Sequence, residues 1–432
     1  MQKPAHKSGA VQKVAPSHAP IAPARFAAFA ILDRVATTSG HSDDLLHGPG
    51  MSALSQADRN LATTLVLGVL RWQIALDAVM QPLLQRPDLA LPSPVATALR
   101  MGAFQLQHLD RIPAHAALSE SVELVRAAGH GHAAGMVNAI LRKLTRQAWP
   151  KPKLYETTAA FAERLGHPLW IVDRWIQNYG RNASLAICEY DQQEPQLGGF
   201  FSDQDLPEGA FPHLDDGSRL VAELAAAAHA SPKRIWDCCA APGGKTLVLA
   251  RRHAAAELLA TDANPRRLEA LAARLHAVAP QVRTLEADAT RLPESEGLFD
   301  LILCDVPCSG TGTLGRNPEI RHRLQPSNLA RQATRQKQIL TAALGRLAPG
   351  GYLLYSTCSL EPEENEQVVA EALASATGVS ASSLEPVLQR LGANGVLAAA
   401  APLTLLRNGQ LRTLPGATFQ GDGFFAALFQ RA

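Results

Sequence analysis

The sequence predicts a multidomain protein with an all-α N-terminal domain, a small α+β connector and a C-terminal α/β domain whose Rossmann-like sheet is mostly parallel. The chain has 432 residues, of which 47% are hydrophobic, and this is enough for several buried cores. Apolar residues recur with helical spacing in the first third, where no strand-like alternation occurs. From Lys233 onward, short apolar runs alternate with helical segments, which is typical of a parallel sheet covered on both faces.

We expect four segments, with boundaries at 1–20, 21–150, 151–230 and 231–432. The first is rich in Pro, Ala, His and Lys and has no acidic residue, which predicts a disordered basic tail. An organellar targeting segment is a weaker alternative, because the stretch has no arginine. The net charge is +2, so a nucleic-acid partner would have to be bound by local basic patches.

The six cysteines show neither a C-x-x-C pair nor a zinc-ligand spacing, which predicts free thiols and no metal site. Free thiols are typical of a reducing compartment. We find no apolar run that we judge long enough for a membrane span, and no apolar signal core at the N-terminus. We therefore expect a cytoplasmic protein without a membrane partner and, since nothing demands more, a monomer.

The segment 21–150 is interpreted as a helical bundle. "ARFAAFAILDRV" places Phe26, Phe29, Ile31 and Leu32 on roughly one face, and "LSQADRNLATTLVL" begins a long helix with Ser55 as its N-cap. Basic residues outnumber nearby acids. They are consistent with RNA binding or with an ordinary solvated surface, and the composition leaves both open: Arg25, Arg71, Arg111, Arg142, Lys143 and Arg146.

The remaining elements follow in order. "HPLWIVDRWIQNYG" predicts a connector helix and "GGFFS" a strand-like piece. The α/β domain then alternates strands and helices: "RIWDCC", "KTLVLARRH", "ELLATD", "PRRLEALAARLHAV" with Pro265 in its first turn, "VRTLEAD", "FDLILCDVP", "SNLARQATRQKQILTAALGRL", "GYLLYSTCS" and "PEENEQVVAEALAS". "LTLLRNGQLRTL" and "GFFAALFQ" predict antiparallel strands at the end.

The glycine-containing loop after the first strand, D-C-C-A-A-P-G-G-K-T, is not a nucleotide phosphate loop. A Walker A loop would need glycine where Cys239 stands, and the dinucleotide fingerprint would need a third glycine. The small residues of the loop still allow a ligand to approach the backbone closely. We therefore assign the loop to cofactor binding, with the residues Cys239, Ala240, Ala241, Pro242, Gly243, Gly244 and Lys245.

Acidic residues follow successive strands: Asp237, Asp262, Asp288 and Asp305. In parallel α/β sheets the ligand lies beyond the carboxyl ends of the strands. Asp262 is spaced to bind ribose hydroxyls, and Asp288 suits an adenine amino group. A single acid of this kind is as often a helix N-cap, but four in register are not. The pattern predicts an adenosine compound without a phosphate requirement, such as S-adenosylmethionine.

Cys308 and Cys358 follow the fourth and fifth strands, and we expect neighbouring strands to bring them together. A buried or redox pair is the alternative. Thiolates beside S-adenosylmethionine suit methylation of carbon 5 of a pyrimidine, because thiolate addition to carbon 6 makes carbon 5 nucleophilic. Asp305 is expected to bind the exocyclic amine and N3 of the cytosine. The segment "EPEEN" is expected to begin a helix whose amide dipoles assist ionisation of Cys358.

The motifs "CAAPGGKT", "DVPCSGTG", "YSTCS" and "PEENE" resemble the RNA cytosine-5 methyltransferases, and most closely the bacterial RsmB (Sun/Fmu) family, which methylates a cytosine of 16S ribosomal RNA. These motifs cover about residues 233–432, and the helical N-terminus, with "VNAILRK", resembles the NusB-like RNA-binding domain of that family. Val306 stands where the family usually has Ala.

The resemblance implies specific roles. Cys358 is the nucleophile, Cys308 assists release of the product, and S-adenosylmethionine binds at residues 239–245 with Asp262, Asp288 and Asp305. Lys245 either orients Asp305 or stabilises the thiolate. The implied partner is 16S rRNA or a small-subunit assembly intermediate, and not DNA. The segment "GRNPEIRHRLQPSNLARQATRQKQ" is expected to rim the site and contact RNA phosphates through Arg316, Arg321, Arg323, Arg331, Arg335 and Lys337.

Four alternatives remain distinct. A P-loop NTPase would bind ATP with Mg²⁺. An RNA-binding assembly factor without catalysis would not need both thiols. A DNA cytosine methyltransferase would rely on Cys308 alone and retain activity in a Cys358→Ser variant. Methylation of another RNA, such as tRNA, would use the same chemistry on a different substrate.

Overall fold

The structure is a computed structural model that describes residues 21–38, 40–153, 155–195, 198–202, 214–400 and 402–432. The tail expected at 1–20 lies outside the described residues. The chain divides into two compact units, Met1–Lys151 and Pro152–Ala432.

The first unit is helical in its described part. Ser55 accepts a hydrogen bond from the backbone N of Asp58 and begins the longest helix, as predicted. Phe29, Ile31 and Leu32 are buried in the core, whereas Phe26 is 56% exposed. The helices are α1 Pro23–Thr37, α2 Ser42–Leu46, α3 Pro49–Ser52, α4 Gln56–Met80, α5 Ser93–His108, α6 Ala114–Ala127 and α7 Ala134–Leu144.

One stretch of this unit, Gln56–Leu83, is long and apolar enough to cross a membrane by length and composition, contrary to the sequence-based expectation. Core helices of compact helical domains meet the same criterion. Leu65, Val66, Val69 and Leu76 on this stretch are buried against the other helices of the unit.

The second unit opens with helices α8 Thr158–Arg164, α9 Leu169–Tyr179, α10 Arg181–Asp191 and α11 Asp216–Ala228. Buried side chains of α8, α9 and α10 pack with Leu314, Leu360 and Leu414. Phe201, from the strand-like "GGFFS", forms an isolated antiparallel bridge with Leu397.

The rest of this unit is built on a nine-stranded sheet. Its strands are β1 Arg234–Asp237, β2 Glu257–Asp262, β3 Arg283–Glu286, β4 Phe299–Asp305, β5 Leu347–Thr357, β6 Val379–Ser382, β7 Leu406–Arg407, β8 Gln410–Arg412 and β9 Phe425–Arg431. Its helices are α12 Gly244–Arg252, α13 Pro265–Val278, α14 Ile320–Arg323, α15 Pro326–Leu344, α16 Glu366–Ser375 and α17 Glu385–Ala393.

The strand order is β3-β2-β1-β4-β5-β9-β8-β7, with β6 also paired to β9. The first five strands in this order are parallel, and β9 is inserted antiparallel beside β5. The order reverses between β1 and β4, so the carboxyl ends of these two strands form the crevice in which α/β proteins bind ligands. The mostly parallel sheet and its antiparallel C-terminal strands confirm the predicted fold.

Helices cover both faces of the sheet. On β4, Leu301 and Leu303 pack into a core with α11, α12, α13 and α17, whereas Ile302 and Cys304 pack into a second core with α15 and α16. This alternation follows from the period of two along a strand. Both faces of the sheet are therefore covered by apolar side chains.

Candidate active site

The carboxyl edge of the sheet gathers the acids that the sequence singled out. Asp237, Asp262 and Asp305 end β1, β2 and β4, and Asp288 lies just beyond β3. Parallel pairing fixes their register, since Asp237 is opposite Leu303 and Asp305 is opposite Ser356.

Two cavities at this edge share Cys239, Ala241 and Asp305 in their linings. The larger, of about 390 Å³, also meets Asp262 and Asp288. The smaller, of about 70 Å³, meets Asp237 and the rest of the glycine-containing loop: Ala240, Pro242, Gly243, Gly244 and Lys245. The residues predicted to bind the cofactor therefore divide between two cavities with a common wall. Sequence reasoning did not assign Asn264, Arg267 and Arg335 to this lining.

The acids at the larger cavity also have local structural partners. Asp262 accepts from the backbone N of Asn264 at 2.8 Å. Asp288 accepts from the backbone N and the hydroxyl of Thr290, both at 2.9 Å, and caps the short turn Ala289–Arg291. The backbone hydrogen bond from Thr290 lowers the pKa of Asp288. The capping role weighed in the sequence analysis is thus present, and each carboxylate still lines the cavity.

Asp237 is fully buried beneath the smaller cavity. Its Oδ2 accepts from the hydroxyl of Thr246 at 2.7 Å, and its Oδ1 accepts no hydrogen bond of normal geometry from the described residues. Burial raises the pKa of Asp237 to about 7, against the opposing effects of Thr246 and Lys245. A cationic group in this cavity would therefore meet a carboxyl oxygen with free acceptor capacity.

Asp305 and Lys245 form the central ion pair of the site. Lys245 Nζ lies 2.8 Å from Asp305 Oδ2, and the hydroxyl of Ser356 donates to Asp305 Oδ1 at 2.7 Å. Burial by itself lowers the pKa of Lys245, but Asp305, Cys358 and Asp237 outweigh burial, so the pKa is raised. The ammonium group is therefore charged and close to both an acid and a thiol.

The two cysteines meet as predicted. Cys308 Sγ lies 3.1 Å from Cys358 Sγ. The contact with Cys358, then burial and then Glu364 raise the pKa of Cys308 well above its usual value. The expectation that the helix begins within "EPEEN" was wrong, because α16 begins only at Glu366. The N-terminus of α16 therefore does not follow Cys358 directly.

The loops that carry the thiols are tied to each other and to the sheet. The backbone N of Gly312 donates to the carbonyl of Cys358 at 2.9 Å, and the backbone N of Gly423 donates to the carbonyl of Gly312 at 2.7 Å. Buried Glu364 accepts hydrogen bonds from Ser309, Ser359 and Gln336. Sequence reasoning missed these polar partners, although "PEENE", "PCS" and "TCS" had drawn attention to the segments that contain most of them.

The basic segment between the two cysteine loops is more structural than expected. Arg321 is 2% exposed and donates to the carbonyls of Gly166 and Leu314, so its assignment as a phosphate contact was wrong. Arg316 pairs with Asp215 and Asp422 at 3.1 and 3.0 Å. Arg331 and Arg335 remain exposed on α15.

Comparisons with known proteins show the family of the chain. A family model described as 16S rRNA methyltransferase RsmB/F matches residues 225–430, and a NusB family model matches residues 22–146. The chain is 32% identical to the ribosomal RNA small subunit methyltransferase B of Xanthomonas campestris, with 89% of this chain and 91% of that protein covered. The chain belongs to the ribosomal RNA small subunit methyltransferase B family.

Other members of this family give the same result. The chain is 32% identical to the Sodalis glossinidius methyltransferase B, over 90% of this chain and 93% of that protein. It is 30% identical to the probable methyltransferase B of Synechocystis, over 88% and 92%. The crystal structure of PH0851 covers 96% of this chain and 100% of its own, with a TM-score of 0.69 and 19% identity, and this likeness shows the fold alone.

Proposed function

We propose that this methyltransferase transfers a methyl group from S-adenosylmethionine to carbon 5 of a cytosine in 16S ribosomal RNA. In this proposal Cys358 is the nucleophile, Cys308 assists release of the product and Asp305 binds the base. The observation that carries the proposal is the 3.1 Å contact between the two thiols beside the Lys245–Asp305 pair.

The charges around the thiols support different roles for them. Cys358 contributes to the raised pKa of Lys245, so the ammonium group is close enough to stabilise the negative charge that the proposed mechanism needs at Cys358. Glu364 contributes to the raised pKa of Cys308. Cys308 therefore suits the protonated partner, whose S–H donates to the thiolate of Cys358.

Asp305 has acceptor capacity left for the base. Each of its oxygens has one partner in the structure, Lys245 or Ser356, and a carboxylate oxygen can accept a second hydrogen bond. The exocyclic amine of cytosine is a donor that fits this role, with the base single-stranded or turned out of its helix. Lys245 then both orients Asp305 and stabilises the thiolate, the two alternatives that the sequence left open.

The two cavities fit S-adenosylmethionine. The unsatisfied buried oxygen of Asp237 and the small residues of the loop 239–245 suit the cationic amino acid part, and Asp262 and Asp288 suit the ribose and adenine. When bound, the cofactor supplies the methyl group. Cys239, Ala240, Ala241, Pro242, Gly243, Gly244, Lys245 and Asp305 complete the proposed binding set.

The proposed chemistry balances at the base. The thiolate of Cys358 adds to carbon 6, and the electron pair that this releases makes carbon 5 nucleophilic. Carbon 5 accepts the methyl group, with S-adenosylhomocysteine as the other product, and then gives its proton to water. The electron pair of that C–H bond expels the sulfur from carbon 6, which restores the ring and the Cys358 thiolate. Cys308, in contact with the Cys358 sulfur, assists this last step.

We propose further that residues 21–150 bind RNA, that 151–230 form a connector and that 231–432 form the catalytic domain. Arg142, Lys143 and Arg146 are exposed at the end of α7 and support an RNA-binding role for the helical unit. The substrate is 16S rRNA or an assembly intermediate of the small subunit, methylated by a monomer in the cytoplasm.

The test uses wild-type protein, Cys308→Ala and Cys358→Ala with 16S RNA and S-adenosylmethionine. Denaturing gels detect covalent protein–RNA adducts, and mass spectrometry of the nucleosides detects 5-methylcytosine. We expect Cys308→Ala to accumulate an adduct and Cys358→Ala to give neither adduct nor methylation.

Adduct formation by Cys358→Ala instead would reverse the two roles. If the wild type leaves 16S RNA unmodified, small subunits and tRNA are the next substrates, and methylation of tRNA alone would replace the rRNA assignment. Modification at any atom other than carbon 5 would rule out the proposed chemistry.

A further inference from the structure

A single buried carboxylate connects the loops that carry the two thiols. Glu364 is 0% exposed. Its Oε1 accepts hydrogen bonds from the backbone N of Ser309 at 2.8 Å and from Nε2 of Gln336 at 2.9 Å. Its Oε2 accepts from the hydroxyl of Ser359 at 2.5 Å and from the hydroxyl of Ser309. The residues that directly follow Cys308 and Cys358 thus share one acceptor group.

Helix α15 is joined to the same group. The Nε2 of Gln336 also donates to the carbonyl of Pro307 at 3.0 Å. Cys308 therefore lies between two residues with fixed hydrogen bonds. Ser309 is bound by Glu364, and Pro307 is bound by Gln336, which itself donates to Glu364. The hydroxyls of Ser309 and Ser359 are themselves 3.0 Å apart.

Burial makes these hydrogen bonds interdependent. A buried carboxylate is costly unless donors replace the water it loses, and here the donors come from two loops and a helix. If the loop of Cys308 moves away, the carboxylate stays buried but loses the two hydrogen bonds from Ser309. The arrangement is favourable only when both loops are in place at once.

We propose that Glu364 is a positioning residue that fixes the separation of the Cys308 and Cys358 sulfur atoms. It acts through the loops, and it is not one of the groups assigned above to base or cofactor binding. The catalytic consequence rests on the proposed two-thiol function, but the separation of the sulfur atoms can be measured without RNA or cofactor.

Glu364→Gln is the sharpest variant because it conserves shape. The amide has one acceptor oxygen and one NH₂ group where the carboxylate offers two acceptor oxygens to four donors. With its oxygen in the place of Oε1, the amide still accepts from the backbone N of Ser309 and from Gln336. Its NH₂ group then faces the hydroxyls of Ser309 and Ser359, which lose their charged acceptor. Glu363→Gln is the matched control, since Glu363 lies in the same segment but is partly exposed and pairs with Arg174.

The experiment treats the full-length protein with a bifunctional bromobimane, whose two arms each alkylate one thiol. Mass spectrometry of peptides distinguishes reagent that bridges Cys308 and Cys358 from reagent attached to only one of them. The readout is the bridged fraction, the share of the attached reagent that joins both cysteines. This fraction does not depend on the rate of the first alkylation, but it depends on both the separation of the thiols and the reactivity of the second thiol. Labelling at several pH values separates the two effects, because a change in separation lowers the bridged fraction at every pH. We expect Glu364→Gln to lower it about tenfold, the effect of losing one hydrogen bond to a charged group, and Glu363→Gln to leave it unchanged.

A wild-type bridged fraction in Glu364→Gln would overturn the proposal. If that variant does not fold, Ser309→Ala retains the carboxylate and removes one hydroxyl donor. We expect the bridged fraction in Ser309→Ala to fall by about twofold or more. An unchanged bridged fraction in this variant would also overturn the proposal. In methylation assays both variants should have a lower kcat than the wild type. Their KM values for RNA and for S-adenosylmethionine should stay within about twofold of the wild-type values. Failure of the proposed function would appear separately, as wild-type protein that bridges normally but makes no 5-methylcytosine.

Discussion

The Sγ atoms of Cys308 and Cys358 are 3.1 Å apart, although fifty positions of sequence separate the two residues. The two thiols have different charged neighbours. Glu364 helps to raise the pKa of Cys308, whereas Cys358 interacts with the ammonium group of Lys245. This asymmetry supports the different roles proposed for the two thiols, and it leads to the first prediction.

Lys245→Met should slow formation of the covalent protein–RNA adduct about 10- to 100-fold at neutral pH, because the Cys358 thiolate loses its cation. The rate of adduct formation in a Cys308→Ala background is the measurement. Lys233→Met is the control, because Lys233 is exposed just before β1. An unchanged rate would contradict this role of Lys245.

Gly312→Ala should destabilise the protein by about 1–3 kcal/mol and reduce methylation, because the added Cβ would lie 2.2 Å from the carbonyl oxygen of Gly423. Relief of this clash must move the segment that holds the carbonyl of Cys358. Urea unfolding and methylation rate are measured together. Gly135→Ala is the control, since nothing lies within 4 Å of its added Cβ and Ala favours the helix by about 0.5–1 kcal/mol. Wild-type stability of Gly312→Ala would contradict the packing described here.

Because of Asp237, the unfolding free energy of the protein should fall as the pH rises from 5 to 8. Burial raises the folded-state pKa of Asp237 from 3.8 to about 7, so the folded state binds more protons than the unfolded state between these values. The stabilising contribution is full below pH 3.8 and is lost as the pH rises through 7. Relative to Asp237→Asn, the wild type should lose roughly 2–3 kcal/mol of unfolding free energy between pH 5 and pH 8. Urea unfolding of both proteins at the two pH values measures this difference, and equal pH dependence would show that Asp237 is ionised normally.

Arg321 and Arg331 should separate stability from RNA binding. Arg321→Ala removes a buried guanidinium and should destabilise the fold by about 2–4 kcal/mol, without changing the salt dependence of RNA binding by folded protein. Arg331→Ala should leave stability unchanged and reduce the slope of log K against log salt by about one phosphate contact. Filter binding at several salt concentrations, with urea unfolding in parallel, tests both predictions. Unchanged stability and a smaller salt slope for Arg321→Ala would show that Arg321 contacts RNA.

The order of strands and helices could be predicted because each element carries its own periodicity and end signals, as Ser55 and Pro265 illustrate. The meeting of Cys308 and Cys358 could also be predicted, since β4 and β5 are adjacent parallel strands and their carboxyl ends must coincide. Local sequence and the rules of sheet topology are sufficient for both conclusions.

Partners contributed by distant segments could not be predicted. Arg321 looked like a surface base because its acceptors are the backbone carbonyls of Gly166 and Leu314, which the sequence does not reveal. Glu364 looked like part of a helix start, and its donors come from Ser309, Ser359 and Gln336. In both cases burial, and not residue type, determines what the side chain does.

The antiparallel insertion of β9 beside β5 also bears on when activity first arises during synthesis. The strand that leads to Cys358 lies between β4, which is made before it, and β9, which is made long after it. A nascent chain translated only as far as α16 therefore contains Cys358, the proposed nucleophile, but lacks the neighbour that completes its strand on one side. We therefore expect methylation to require translation of residues 425–431, and a chain released earlier to leave RNA unmodified.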